Sequence, residues 1–339
     1  QARSREMKRI SQQFRSQASL PAETIDGHRL EVHANVELPT EVESAVEWGA
    51  AGIGLFRSEF IHLQSPESGE DFHYQHYVAV LKSLNGLPLT VRTLDLGGDK
   101  LPEGSVDEEN PFLGCRSIRW CLANPEPFRA QIRAILRAGV HGPVRLMLPM
   151  ITTIPELDRS LQIIDEVSDE LRTEGVEFDE NIPVGVMVEV PSLALVANHV
   201  AHRVSFLSVG SNDLVQYTLA VDRGNEQVAD LYDPLHPAVL QLISSLIRVG
   251  EEHDIRVCLC GEMASEVIHL PLLVGLGLRE FSITPQLIPE VKQVIRHLAD
   301  YEVRGLASRC MQLSDGESIS RELRLWALEN LPEVASRLI

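Results

Sequence analysis

Arginines, acids and one cysteine stand where core packing alone would not put them. Arg57 follows the apolar run GIGLF, and Arg92 sits within LTVRTLDL with Asp95 just after it. A guanidinium beside or inside such a run keeps its hydrogen bonds only if an anion or a carboxylate meets it. Taken singly, either arginine could be closed by a structural ion pair with Glu59 or Asp95. Arg116 and Arg223, at two long connections, bring the number of such arginines to four, and an anion-binding cluster becomes the better account. Glu189 ends VGVMVE, and Asn212 and Asp213 follow LSVGS. Carboxylates at the ends of successive strands can share one hard cation, so Mg2+ is the expected metal, although an Asp after a strand is by itself more often a helix cap. Cys260 and Glu262 end RVCLCGE; Cys258, two residues earlier, shares the face of Cys260 and lies deeper, as core. A lone strand cysteine is usually packing, and only its company at this rim points Cys260 toward chemistry.

What could bring these residues together is a ring of strands. LEVHANV, GIGLF, LTVRTLDL, VRLMLPM, PVGVMVEV, RVSFLSVG, RVCLCGE and EFSIT read as eight strands, mostly continuous apolar runs of the kind buried on both faces. Helical patterns alternate with them. Thr40 and Glu43 have capping-box spacing before a helix that closes at Gly49. Asn124 and Pro125 open a helix with Phe128, Ile132, Ile135 and Leu136 on one stripe that stops at Gly139. Pro155 opens another, with Leu157, Leu161, Ile164 and Leu171 inward before Gly175, and Pro237 opens a fourth. Eight strand-helix units without a GxGxxG after the first strand fit a closed (β/α)8 TIM barrel better than an open doubly wound sheet. Such a barrel gathers its active site at the carboxyl ends of the strands, where the residues above stand. Residues 1–29 read as a linker helix left from a missing upstream region and 30–339 as the barrel, with Pro285 to Ile339 forming helices that finish it. The connections Gly97 to Pro111 and Ala220 to Pro237 are long enough to be functional loops.

Composition narrows the partners. Lys+Arg 30 against Asp+Glu 49 in 339 residues gives a formal charge of -19, which repels phosphate backbones, so nucleic acid is not expected. No segment has the signature of a membrane span or a signal, and five cysteines without a CxxC pair suit a reducing compartment, so a cytoplasmic protein is expected. No His/Cys grouping suggests zinc.

The blocks GIGLFRSEF, VRTLDLGGDK, ENPFLGCRSIR, LMLPMI, VGVMVEVPS, SVGSNDLVQYTLAVDRGN and LCGEMASE resemble, in order, those of the carboxyl-terminal domain of enzyme I of the phosphoenolpyruvate:sugar phosphotransferase system. The resemblance covers most of residues 30 to 285. It implies a (β/α)8 barrel that binds phosphoenolpyruvate, releases pyruvate and forms a homodimer. By matching motif, Arg57, Arg92, Arg116 and Arg223 would grip the substrate phosphate and carboxylate, with the Asn212 amide assisting and Lys100 of GGDK near the phosphate. Glu189 and Asp213 would hold Mg2+, with Mn2+ a possible substitute, and Cys260 would protonate the enolate carbon. Cys115 replaces an aromatic residue, and Ser58 and Ser211 stand where threonine is more usual.

The acceptor in that family is a histidine on an amino-terminal domain, which passes the phosphoryl group to a histidine phosphocarrier protein. Its Thr-Ser-His motif is absent from this sequence. His236, the one histidine near the expected site, reads as a structural or dimer-loop residue. The barrels of pyruvate phosphate dikinase and phosphoenolpyruvate synthase share several blocks, and a sensing and dimerisation module is a further alternative. QYTLAVDRGN favours enzyme I, and EVPS with LYDPLHPAVL looks closer to its nitrogen-related branch than to the branch serving sugar transport.

Overall fold

A computed structural model describes residues 18–64, 69–97 and 108–331. Eight parallel strands form a closed ring: β1 (Arg29–Val36), β2 (Ile53–Arg57), β3 (Leu89–Arg92), β4 (Val144–Leu148), β5 (Val184–Val188), β6 (Phe206–Val209), β7 (Arg256–Leu259) and β8 (Glu280–Ile283). Each pairs with the next, and β8 returns to β1 with Val32 opposite Phe281 and His33 opposite Ser282, so the (β/α)8 barrel is closed. All eight strands fall on the apolar runs that announced them. They carry Val, Ile, Leu and Phe because both faces are covered, by helices outside and by packed side chains within.

Helix ends follow local chemistry. The helix Ile154–Glu174 opens on a capping box between Thr153 and Glu156 and closes at Gly175, whose φ of +69 suits a residue without Cβ. The box expected at Thr40 and Glu43 lies elsewhere: Glu41 Oε2 accepts from the amides of Glu37 and Leu38, because a 3-10 turn, Pro39–Glu41, precedes the helix Val42–Glu47. The helix Pro125–Ala138 does stop at Gly139, though without a left-handed cap. That glycine's φ of -57 is right-handed, and the chain runs on through a 3-10 turn to His141. His236 caps Pro237–His253, its Nδ1 accepting from the Ala238 amide at 3.2 Å.

Of the expected linker helix over 1–29, residues 1–17 lie outside the described residues. Residues 18–29 hold turns and a two-residue strand, Ala22–Glu23, antiparallel to the start of β1. This segment is pinned by Lys292 Nζ, which donates to the carbonyls of Ala18 and Gly49 at 2.7 and 2.9 Å. At the other end, helices Ile288–Ile295, Asp300–Cys310 and Gly316–Asn330 complete the outer layer.

The main core lies between the ring and its helices. Inside the ring a small separate plug, Leu55, Met147, Met187, Phe206 and Cys260, divides the two ends of the barrel. No helix among the described residues is long and apolar enough to cross a membrane.

Candidate active site

The carboxyl ends of the strands converge on a cavity of about 270 Å³. Arg57 reaches it from β2, Arg92 and Asp95 from β3 and the residues after it, and Glu189 from the end of β5. Asn212 and Asp213 come from the turn after β6, and Cys260 from the end of β7, while Arg116 and Arg223 enter from the two long loops. Eight of the nine residues singled out in the sequence therefore share one space. Lys100 lies outside the described residues.

Every guanidinium here has a protein partner as well as a view of the cavity. Arg92, 6% exposed, pairs with Glu59 and lies 3.2 Å from Asp95 Oδ2. Arg116 donates to both oxygens of Asp95, at 3.1 and 3.2 Å, lies 3.5 Å from Asp213 and donates to the Tyr217 hydroxyl. Burial works against both charges, but the surrounding acids outweigh it and hold both guanidiniums above their ordinary pKa. Arg223 lies 3.7 Å from Asp213 Oδ1. The partners expected for Arg57 were Glu59 or Asp95, yet both of these acids pair with Arg92, and Arg57 pairs with Glu37 at the end of β1. Close backbone packing permits the arrangement: a Cβ on Gly97, at φ +138, would fall 2.0 Å from the Cβ of Arg116.

Glu189 accepts from the Met150 amide at 2.7 Å. Burial, then the charges of Asp213 and Asp95, push its carboxyl up to about 8, even against Arg92 and Arg116. Asp213 is also buried, and its Oδ1 accepts no hydrogen bond among the described residues. Two buried carboxyls at the ends of successive strands, one pushed up by the charge of the other and the other with an oxygen that accepts no hydrogen bond among the described residues, suit a hard divalent cation with oxygen ligands, so these residues fit the expected Mg2+.

Cys260, 5% exposed, accepts from the Ser208 hydroxyl at 3.2 Å and donates to the Val209 carbonyl at 3.4 Å. Burial pushes its thiol up to about 11, opposed by Ser208, so it carries its proton at neutral pH. Cys258 instead lines the small space at the other end of the ring. The Asn212 amide lines the cavity but is engaged twice by Glu262: its Nδ2 donates to Oε1 at 2.9 Å, and its Oδ1 accepts from the Glu262 amide at 2.8 Å.

Sequence reading missed the support behind Arg92. Gln131, fully buried, accepts from the Leu94 amide at 2.9 Å and donates to Ser58 Oγ at 2.7 Å, while Ser58 donates to the Arg92 carbonyl at 2.6 Å. The side chain of Gln131 thus takes over where the strand ladder ends. A polar residue beside the stripe of Phe128 and Ile132 was the available signal. Also missed was Glu31, His33 and Glu280, a group with metal-ligand character at the opposite end of the barrel, where Arg256 and Arg145 lie against the carboxylates.

Comparison with known proteins places the chain in a family. The family model for the PEP-binding domain of PEP-utilising enzymes matches residues 11–300. The chain belongs to that family. It is 42% identical over 310 residues to a phosphoenolpyruvate-protein phosphotransferase of Cupriavidus necator, covering 90% of the chain and 53% of that protein. It is 43% identical over 301 residues to the protein of the same name from Staphylococcus carnosus, covering 87% and 52%. The chain thus spans about half the length of the curated relatives it matches. A citrate lyase of Burkholderia xenovorans LB400 overlays 92% of the chain and 95% of its own at a TM-score of 0.49 and 14% identity, a likeness too slight to bear on function.

Proposed function

We propose that this domain binds phosphoenolpyruvate with Mg2+ and donates its phosphoryl group to a histidine on an amino-terminal domain of the same protein, leaving pyruvate. The observation that carries this reading is the single cavity shared by four arginines, two acids fit for a metal and a protonated thiol. The printed name of the relatives, phosphoenolpyruvate-protein phosphotransferase, supports it.

Arg57, Arg92, Arg116 and Arg223 bind and orient the phosphate and carboxylate, with Asn212 assisting and Lys100 assigned to the phosphate. Since all four arginines already face carboxylates, they cannot by themselves make the mouth strongly positive. Mg2+, held by Glu189 and Asp213, would supply the charge that offsets the phosphoryl and enolate oxygens, and Mn2+ would serve in its place. As the bond from phosphorus to the enol oxygen breaks, its electron pair stays on that oxygen and phosphorus bonds to the acceptor imidazole. Cys260 Sγ then gives its proton to the methylene carbon, and the thiolate regains one from water. From the acceptor histidine the phosphoryl group passes to a histidine phosphocarrier protein, and the working protein is a cytoplasmic homodimer.

Calorimetry tests the reading. Phosphoenolpyruvate should bind at least about tenfold more tightly with Mg2+ than in chelator, the effect of one added divalent charge in a partly buried site. Equal affinity in both conditions would remove Glu189 and Asp213 from their role.

A further inference from the structure

Arg57 is held differently from the other guanidiniums at the mouth. Arg92 and Arg116 are paired by acids that are themselves buried, Glu59, Asp95 and Asp213. Arg57 pairs with Glu37 on the turn after β1, and the two side chains are 36% and 40% exposed. Glu37 is fixed in place, because Glu41 Oε2 accepts from the amides of Glu37 and Leu38 at 2.9 and 3.0 Å. Glu37 and Arg57 also line a second cavity, about 410 Å³, which shares Cys260 and Asn212 with the first. Arg57 Nε is buried and has no acceptor among the described residues. One arginine of the site is thus tied at the rim by a partly solvated acid, with an idle donor left over.

We infer that Glu37 is a positioning residue that competes with the substrate phosphate for Arg57 and yields it when substrate enters. The inference rests on the phosphoenolpyruvate reading above. Binding then exchanges one anion for another at Arg57, so Glu37 lowers substrate affinity while keeping the guanidinium from settling against the acids of the metal site. A purely structural Glu37 has the opposite signature, since its loss would loosen the rim and weaken binding.

Glu37→Gln keeps the shape and removes the charge. With Mg2+ present, it should bind phosphoenolpyruvate about two- to fivefold more tightly than the parent, the range expected of a partly exposed ion pair. Pyruvate, which lacks the phosphate, should bind unchanged, and Glu37→Asp should return affinity toward the parent value. Unchanged or weaker phosphoenolpyruvate binding by Glu37→Gln, with the parent binding normally, overturns the inference. The nuclear magnetic resonance signal of the Arg57 Nε proton, identified by its loss in Arg57→Lys, separates this failure from that of the functional reading. If the parent binds no phosphoenolpyruvate, that reading falls. A signal that then moves in Glu37→Gln supports the tether, and one that stays put overturns it.

Discussion

At the amino-terminal end of the strands, His33, Glu280, Arg145 and Arg256 line a space of about 10 Å³, with Glu31 paired to His33 and Arg256 beside it. At the carboxyl end, four arginines and the acids that meet them surround about 270 Å³. Charge pairing is common to both ends, so pairing does not distinguish a working site from a structural lock. Room does: the lower space holds about one water, whereas the upper can admit a small anion between groups that are already oriented.

The largest test of this contrast is Arg92→Met. It removes the Arg92 charge from buried Glu59 and Asp95, with Asp95 keeping Arg116, and should cost about 3–5 kcal/mol in chemical denaturation, together with a loss of phosphoenolpyruvate affinity. A variant as stable as the parent would mean that the pairs at the mouth carry no structural weight. Next come the two cysteines. Cys260→Ala should slow pyruvate formation in the presence of a separately added histidine acceptor domain by about 100-fold or more, with binding nearly intact, whereas Cys258→Ala should leave that rate unchanged. Equal rates in both variants would sink the proton-donor role.

Glu280→Gln weakens the lower lock and should cost about 1–3 kcal/mol while leaving phosphoenolpyruvate affinity within about twofold. A larger change in affinity would show that the apolar plug does not insulate the ends. A further test is one of pH, and its sign differs between the ends. Glu31, half-exposed, is lowered from 4.5 to about 2, first by its hydrogen bond with His33; its contribution is present above 4.5 and is lost as pH falls through 2. Glu189 is raised from 4.5 to about 8, so the folded state binds the extra proton, and metal-free stability should decline as pH rises from 4.5 through 8. Denaturation curves with Glu31→Gln and Glu189→Gln should remove these slopes separately.

The barrel was legible because buried parallel strands leave long apolar runs, and the site was legible because arginines and acids interrupt those runs at one end. Pairing between strands was less so. Glu37 lies twenty residues before Arg57 and meets it only because β1 and β2 are neighbours, so the nearby Glu59 looked like the natural partner. Gln131 was hidden for a related reason, since a glutamine on a helix usually faces water and this one replaces a ladder bond. Glu31 and His33 did leave a trace: they are two apart on one strand and hence on one face, but Glu280, which completes the group, arrives only when the ring shuts.

That ring has a consequence for how the molecule comes apart. With the first strand hydrogen-bonded to the last, the residues from Glu37 to Cys260 act as staves in a hoop, and an anion drawn to the mouth pulls on many staves at once. Amide exchange in β1 and β8, where the circle was joined, should therefore slow on ligand binding along with exchange in β3, although no residue of β8 touches the first cavity.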